Sequence, residues 1–203
     1  MYFRYEMVFA AAVVAVLVAH PVAAEQVEGF WTRDTLTGDW GGARSRMADS
    51  GVAFGLTYIG EGLSNRVGGH AQGSIYEGRA DLEADLDFEK LAGWDGATAH
   101  ATAYAIHGRG LSSHDVTNVM TVSNIEARRS NRLFTLWLQQ NGFDDRVSLR
   151  AGQIAVDEEF VVSSTAGNLV NSTFGWPAAF GSSLLNGGAA YPLAAPGARL
   201  KLE

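Results

Sequence analysis

The sequence predicts an all-β fold, a transmembrane antiparallel β-barrel preceded by a short N-terminal helix, and three observations predict it. The first is the stretch from Tyr76 to Glu89. Its odd positions, Glu77, Arg79, Asp81, Glu83, Asp85, Asp87 and Glu89, are all charged; its even positions, Tyr76, Gly78, Ala80, Leu82, Ala84, Leu86 and Phe88, are all uncharged. A period of two is a strand with one apolar and one ionised face, whereas a helix would spread both sets around its circumference. The run is longer than the roughly 5–6 residues of an ordinary strand and covers the about 9–11 that a tilted membrane-crossing strand needs. The second observation is an export-type N-terminus on a chain that has no cysteine. The third is the order of the connections, short and long in alternation, which outer-membrane barrels show at their two ends.

Composition narrows the class. The chain has 203 residues with 24 Gly and only 4 Pro, a turn-rich balance that suits a β protein. The net charge of −7 leaves no electrostatic footprint for nucleic acid. The lack of cysteine excludes a disulfide framework and a thiolate metal site.

Residues 1–24 read as a signal peptide. Arg4 charges a short n-region, Met7 to Ala19 is an apolar h-region, and Val22-Ala23-Ala24 offers small residues at a cleavage site. The apolar run is shorter than the roughly 20 residues of a transmembrane helix. Residues 25–51 form an N-terminal segment with a helix of about ten residues, for which Asp39 is the expected N-cap and Gly51 the expected C′ residue. Met47 and Trp40 are expected on its buried side.

Residues 52–203 supply the barrel. Val52 to Gly62 is the first strand, with Val52, Phe54, Leu56 and Tyr58 on one face and Ile59 breaking the alternation. Asn65 to Gly73 is a loop. Tyr76 to Glu89 is the second strand, with Leu82, Leu86 and Phe88 toward lipid and the charges toward a wet lumen. Lys90 to Gly96 is a short turn whose Trp94 suits an interfacial girdle. Ala97 to His107 is the third strand. Alanine at every odd position and Thr98, His100, Thr102, Tyr104 and Ile106 between them leave its faces unassigned. Gly108 to Asn131 is a polar connection. Arg132 to Asn141 is a more uniformly apolar fourth strand, and a tight turn leads to Val147 to Gln153. There Val147, Leu149 and Ala151 face one way and Ser148 and Arg150 the other.

Residues 157–197 are rich in Gly, Ser, Asn and Ala and show no strand pattern, and a connection of that length is usually functional. In a barrel it could fold inward and narrow the pore, with Trp176 and Tyr191 as sugar-stacking candidates and Asn168 and Asn171 as hydrogen-bonding groups. Ala198 to Glu203 resumes strict alternation as the start of a sixth strand. The smallest closed bacterial barrels use eight strands, and an open edge in lipid leaves backbone groups unsatisfied. The chain therefore reads as the N-terminal part of a longer barrel, or a truncated reading frame.

Catalytic and metal signals are weak. His20, His70, His100, His107 and His114 include no pair at helical metal-binding spacing beside a third ligand. Gly108-Arg-Gly-Leu-Ser112 is not a nucleophile elbow. Alternate carboxylates on one strand face lie about 7 Å apart, a poor cage for calcium. The expectation is no enzyme, no metal and no cofactor.

Several motifs then carry a resemblance. Leu36-Thr-Gly-Asp-Trp-Gly-Gly-Ala-Arg44, Gly55-Leu-Thr-Tyr58, Tyr76-Glu-Gly78, Ile106-His-Gly-Arg-Gly-Leu111, Thr121-Val-Ser-Asn-Ile-Glu126, Val170-Asn-Ser-Thr-Phe-Gly-Trp-Pro177 and Tyr191-Pro-Leu-Ala-Ala-Pro-Gly197 resemble the carbohydrate-selective, OprB-type porins. The resemblance runs from residue 36 to the end. It implies a sixteen-stranded outer-membrane barrel, of which about six strands are present here, passing sugars such as glucose by facilitated diffusion without catalysis. Its partners would be sugars as solutes and outer-membrane lipid, with no nucleic acid; self-association into a homo-oligomer is left open. Family members are about twice as long. The residues themselves nominate Arg79, Asp81, Glu83, Asp85 and Arg150 as lumen groups and Trp176 as a constriction residue. Binding in such a pore must stay weak enough for the solute to leave. The rival class is a secreted soluble β-sandwich that binds a ligand, which detergent dependence separates from a barrel. An outer-membrane hydrolase is disfavoured by the lack of a nucleophile–base pair.

The N-terminal signals give one measurable expectation. The mature chain should begin at Glu25, read by N-terminal sequencing of exported material; envelope protein that still starts at Met1 contradicts it.

Overall fold

A computed structural model describes residue 29, residues 31–171 and residues 176–203. The signal-peptide segment lies outside the described residues. The chain divides into two compact units, 1–43 and 44–203.

The described part of the first unit is a series of turns. Gly38, Trp40, Gly41 and Gly42 all have positive φ, and the Trp40 indole N–H donates to Thr37 Oγ1 at 3.0 Å. Helix α1 spans Ala43–Asp49 and so begins four residues past Asp39, which is not its cap. The glycine-rich left-handed backbone before Ala43 delays the start, because residues at positive φ cannot belong to a right-handed helix. Trp40 is exposed, against expectation, and Met47 is half-buried as expected. Gly51 follows the helix at φ 94 in the expected C′ place. A side chain there would meet the Asp87 carbonyl at 2.6 Å, so glycine is required for close approach as well as conformation.

Six strands follow, each antiparallel to the next, in simple sequence order. They are β1 Val52–Asn65, β2 Gly73–Asp87, β3 Ala97–Gly108, β4 Ser130–Gly142, β5 Val147–Ile154 and β6 Ala195–Leu202. Among the described residues no helix is long and apolar enough to cross a membrane, which says nothing of strands.

The organising strand starts at Gly73 and ends at Asp87, two residues short of the expected Glu89. Asp87 turns the chain: its carboxylate accepts from the Glu89 and Lys90 amides at 3.0 and 3.2 Å and caps helix α2, Phe88–Ala92. Gly93 closes that turn at φ 68. A short capped helix therefore stands where a plain turn was expected.

Register settles the faces. Phe54, Leu56 and Tyr58 of β1 stand opposite Ala84, Leu82 and Ala80 of β2, and those in turn face Ala101, Ala103 and Ala105 of β3. The alanines of β3 thus share the apolar face. Thr98, His100, Thr102 and Tyr104 stand opposite Asp87, Asp85, Glu83 and Asp81 on the charged face. Ile59 breaks the alternation as expected, an apolar side chain opposite Arg79 on that charged face.

Strand β4 looked uniformly apolar because it carries a bulge. The register against β3 slips at Thr102/Ala103, and Phe134 and Thr135 are both fully buried. An extra residue lets two consecutive side chains face the same way. Leu133, Leu136 and Leu138 then remain on the apolar face and are exposed.

The buried core lies on the charged side of the sheet. Tyr104, Ile106, Phe134 and Ala155 form it, with Ala127, Tyr191 and Ala194 packed against it. Two long connections, 109–129 and 155–194, cover this side, while the leucine and alanine side is bare. Opposite ends of the bare side carry aromatic clusters. At one end Tyr58 Oη lies 2.5 Å from Tyr76 Oη and 2.9 Å from His107 Nε2, and Gly78 leaves room for them. At the other end Phe88 and Trp94 meet with ring centres 5.7 Å apart. From Tyr76 to the end of β2 at Asp87, next to Phe88, is eleven positions, about 37 Å along the strand. A tilt of about 45° reduces that to about 26 Å, near the roughly 25 Å apolar band of membrane barrels.

The face assignment is tested in a barrel completed with the remaining length of a homologous porin. Leu82→Arg, midway between the two rims and exposed on the apolar face, should impair assembly into lipid vesicles by about 2–4 kcal/mol near the midplane. Asp85→Asn should assemble nearly as the parent does. Equal tolerance of both, read by urea titration of the assembled barrel, contradicts the assignment.

Candidate functional site: the charged face and its covering loop

Strand alternation places Arg79, Asp81, Glu83 and Asp85 on one face of β2 and Arg150 on the same face of β5. Five of the six nominated residues are therefore brought to one surface. Trp176 is not on the sheet; it lies in the covering connection.

The face is divided by charge. Glu61, Glu77, Asp81, Glu83 and Asp85 lie on β1 and β2. Arg132, Arg150, Arg199 and Lys201 lie on β4 to β6. Arg79 is the exception on the acidic side, and it is paired. Its guanidinium binds Asp81 twice, at 2.6 and 2.7 Å, and stacks on Tyr104 and Tyr191, 4.6 and 4.9 Å from their ring centres.

Between the two sides runs a chain of polar contacts. His100 Nδ1 lies 2.6 Å from Asp85 Oδ1, and its Nε2 lies 2.7 Å from Thr102 Oγ1. The His100 ring stacks on Trp137 at 5.1 Å, and Arg150 lies over the Trp137 ring at 3.6 Å. These two contacts hold the Trp137 ring between His100 and Arg150, and its indole N–H is buried.

The connection 155–194 is pinned to the basic side. Glu159 forms ion pairs with Arg150 and Arg199; Arg199 reaches it at 2.5 and 2.9 Å. Gln139 Oε1 accepts from both arginines, and Ser148 Oγ accepts from Arg199 at 2.8 Å. Hydrogen bonding from Arg199 holds the Glu159 carboxyl below the ordinary glutamate range. A second anchor is Tyr191. Its ring meets Tyr104 and Phe134 edge-on, its hydroxyl donates to the Ile125 carbonyl at 2.8 Å, and its amide donates to Asp157 Oδ2 at 2.8 Å. Tyr191 thus packs against the core, with Arg79 over its ring. Asn168 is likewise engaged locally, its amide donating to the Ser164 carbonyl.

Trp176 lines a cavity of about 540 Å³ between the two long connections and meets Phe180 edge-on at 5.2 Å. Among the described residues no three His, Cys, Asp or Glu side chains converge as a metal ligand set.

Sequence reasoning missed Glu159, Gln139, Arg199, Trp137 and His100. Arg199 was detectable, since the alternation of residues 198–203 puts it in register with Lys201. Glu159 carried no local signal, because its partners are 9 and 40 residues away.

Known proteins match this chain. A model of the carbohydrate-selective porins, OprB family, matches residues 71–203. Porin B of Pseudomonas aeruginosa is 29% identical over 150 residues, covering 70% of this chain and 32% of that protein. The structure of Pseudomonas putida OprB at high pH superposes with a TM-score of 0.77 at 26% identity, covering 87% of this chain and 43% of that one. The chain thus spans about a third of its curated relative and less than half of the solved structure.

The clamp on the covering loop is open to a direct test in the completed barrel. Glu159→Gln leaves Arg150 and Arg199 adjacent and uncompensated, and should loosen loop docking by about 2–3 kcal/mol. Conductance and current noise should rise, and protease cleavage within 155–194 should quicken. Because the Glu159 carboxyl is depressed, the clamp is intact at neutral pH. The clamp should weaken as pH falls below about 4.3, the ordinary glutamate value, and reproduce the variant only once pH has fallen through the lower value of the paired carboxyl. Unchanged conductance in both cases places the loop outside the pore.

Proposed function

Because the chain belongs to the OprB family of carbohydrate-selective porins, we propose that it forms part of the wall and constriction of an outer-membrane channel that passes sugars by diffusion. The observation that carries this reading is the two-faced sheet. One face is apolar and bare between aromatic rims, and the other is charged and covered by loops.

The bare face suits lipid, and the clusters at Tyr58-Tyr76-His107 and Phe88-Trp94 suit the two interfaces of the outer membrane. Arg79, Asp81, Glu83, Asp85 and Arg150 then border the water-filled lumen, and the 155–194 connection narrows it. Acidic groups on one wall accept hydrogen bonds and guanidinium groups on the other donate them. A sugar hydroxyl does both, so a hexose can trade its water for wall contacts at many points along the path. Most charged groups are themselves paired, which keeps each contact weak and the solute mobile. Catalysis has no part in this mechanism. Residues 1–24 act as a cleaved export signal, residues 25–51 lead in through α1, and residues 52–203 build the wall.

The test is made with the completed barrel. Outer-membrane fractions should retain it after a salt wash, and release should need detergent. In proteoliposomes, swelling with hexoses should outpace swelling with uncharged solutes of equal size that lack hydroxyls. Release by salt alone returns the soluble sandwich; equal swelling rates remove carbohydrate preference.

A further inference from the structure

The apolar face of the sheet changes chemistry toward the end from which the long connections leave. Phe54, Leu56 and Leu82 occupy its middle and are exposed. Past them Tyr58 Oη lies 2.5 Å from Tyr76 Oη and 2.9 Å from His107 Nε2, over the paired glycines Gly60 and Gly78. A Cβ at Gly60 would lie 2.6 Å from the Tyr76 hydroxyl, and one at Gly78 2.5 Å from the Tyr58 hydroxyl, so only glycine supplies this floor. Both tyrosines remain half exposed. Next along the same face come Ser64 and Ser74, whose hydroxyls meet at 3.2 Å.

Beyond the serines the chain turns basic. Segments 64–74 and 107–118 contain Arg66, His70, His107, Arg109 and His114, and a single carboxylate, Asp115. Asp115 is buried, whereas Arg66, His70, Arg109 and His114 are exposed. On a chain of net charge −7 this rim is a local reversal of sign. The reversal is confined to one end: the turns 88–96 and 143–146 carry Glu89, Asp95, Asp144 and Asp145 against Lys90 and Arg146. The basic rim is also held together. The Asp115 carbonyl accepts from the His70 and Ala71 amides at 2.7 and 3.0 Å, and its carboxylate pairs with the Arg109 guanidinium at 3.2 Å. The Arg109 amide in turn donates to the Tyr76 carbonyl at 3.2 Å, which fixes it beside the tyrosine cluster.

The order along the face is therefore hydrocarbon, then hydroxyl and imidazole, then guanidinium. A neutral solute would gain nothing from the cations, and a free anion would gain nothing from the leucines. A lipid with an anionic headgroup meets all three in sequence. Guanidinium groups present forked donors that match phosphate, and clustered basic residues beside a membrane select anionic lipid. The longer connections of outer-membrane barrels are extracellular, so the leaflet concerned is the outer one. We propose that this rim binds a phosphorylated lipid of the outer leaflet, with Arg66 and Arg109 on its phosphate and Tyr58, Tyr76 and His107 on the polar part next to it. The proposal rests on the porin reading, which turns the leucine face to lipid, and goes beyond it by assigning one headgroup chemistry to one rim.

The experiment uses the completed barrel in dodecyl maltoside. The probe is lipid A, an acylated glucosamine disaccharide bisphosphate, and native mass spectrometry reads its binding. The unsubstituted barrel should hold the bisphosphate about tenfold more tightly than the dephosphorylated form. Inorganic phosphate at equal concentration should not displace it. Arg66→Gln combined with Arg109→Gln should remove most of that preference. Tyr76→Phe keeps the ring and removes the hydroxyl, and should weaken binding about three- to tenfold, the worth of one hydrogen bond. Arg146→Gln, a loss of one charge at the short-turn end, should change nothing. Equal binding of the two lipid forms, displacement by inorganic phosphate, no loss in the substituted rims, or a comparable loss in Arg146→Gln refutes the site. Hexose-driven swelling of proteoliposomes from the same preparation reads the porin function separately. If swelling persists while the lipid preference is absent, the rim site falls and the porin reading stands. If the barrel leaves the membrane under salt alone, both fall.

Discussion

A strand that crosses lipid must hand every backbone amide and carbonyl to a neighbouring strand, because nothing else in the hydrocarbon can receive them. The rest of this structure depends on that constraint. Unbroken ladders force long, regular strands in simple antiparallel order, and regular strands force alternation. Alternation in turn gives every strand two chemically independent faces. One face is apolar and the other ionised, so the same fourteen-residue stretch can carry a charge at every second position without placing any on the apolar face. The bulge at Phe134-Thr135 is the one described place where the rule is relaxed. It lies where the inward side gains a core residue for Tyr104 and Tyr191 to pack against.

A consequence is that the sheet is inside out by the standards of soluble proteins. Its buried side chains include Glu77, Asp81, Thr102 and Thr135, and its exposed ones include Leu56, Leu82, Leu136 and Leu200. In water, that pattern would leave a large apolar surface without a partner. Together with aromatic rims at about the spacing of a bilayer's apolar band, it gives the bare side a physical reason to be bare.

Legibility in the sequence followed chemical contrast between the faces. Where contrast was extreme, as at Asp81 against Leu82, faces and strand were plain. Strand β3 sets alanine against threonine, histidine and tyrosine, and neither set announces lipid or water; only its register with β2 decides. In β4 the bulge removed the period locally, so leucines from one face and Phe134 from the other read as one apolar run. The end of β2 was overrun because Glu89 continues the charge alternation by accident, while the actual stop is the Asp87 side chain capping α2. Trp40 and Asp39 misled for a related reason: the capping pattern was present, but a run of left-handed residues moved the helix start beyond it.

The candidate site was half legible for a different reason. Wall residues belong to periodic segments, so Arg79, Asp81, Glu83, Asp85 and Arg150 could be named from spacing alone. The covering connection has no period, and what fixes it are contacts distant in sequence. Its choice of fastener also follows from the constraint above. The face it must grip is ionised, so apolar packing is available only at the Tyr104–Phe134 patch, where Tyr191 docks. Across the basic strands the available grip is a carboxylate between two guanidinium groups. A loop held by one aromatic anchor and one ionic clamp has two points of attachment of different chemistry, so acid or salt can release the second while the first still holds.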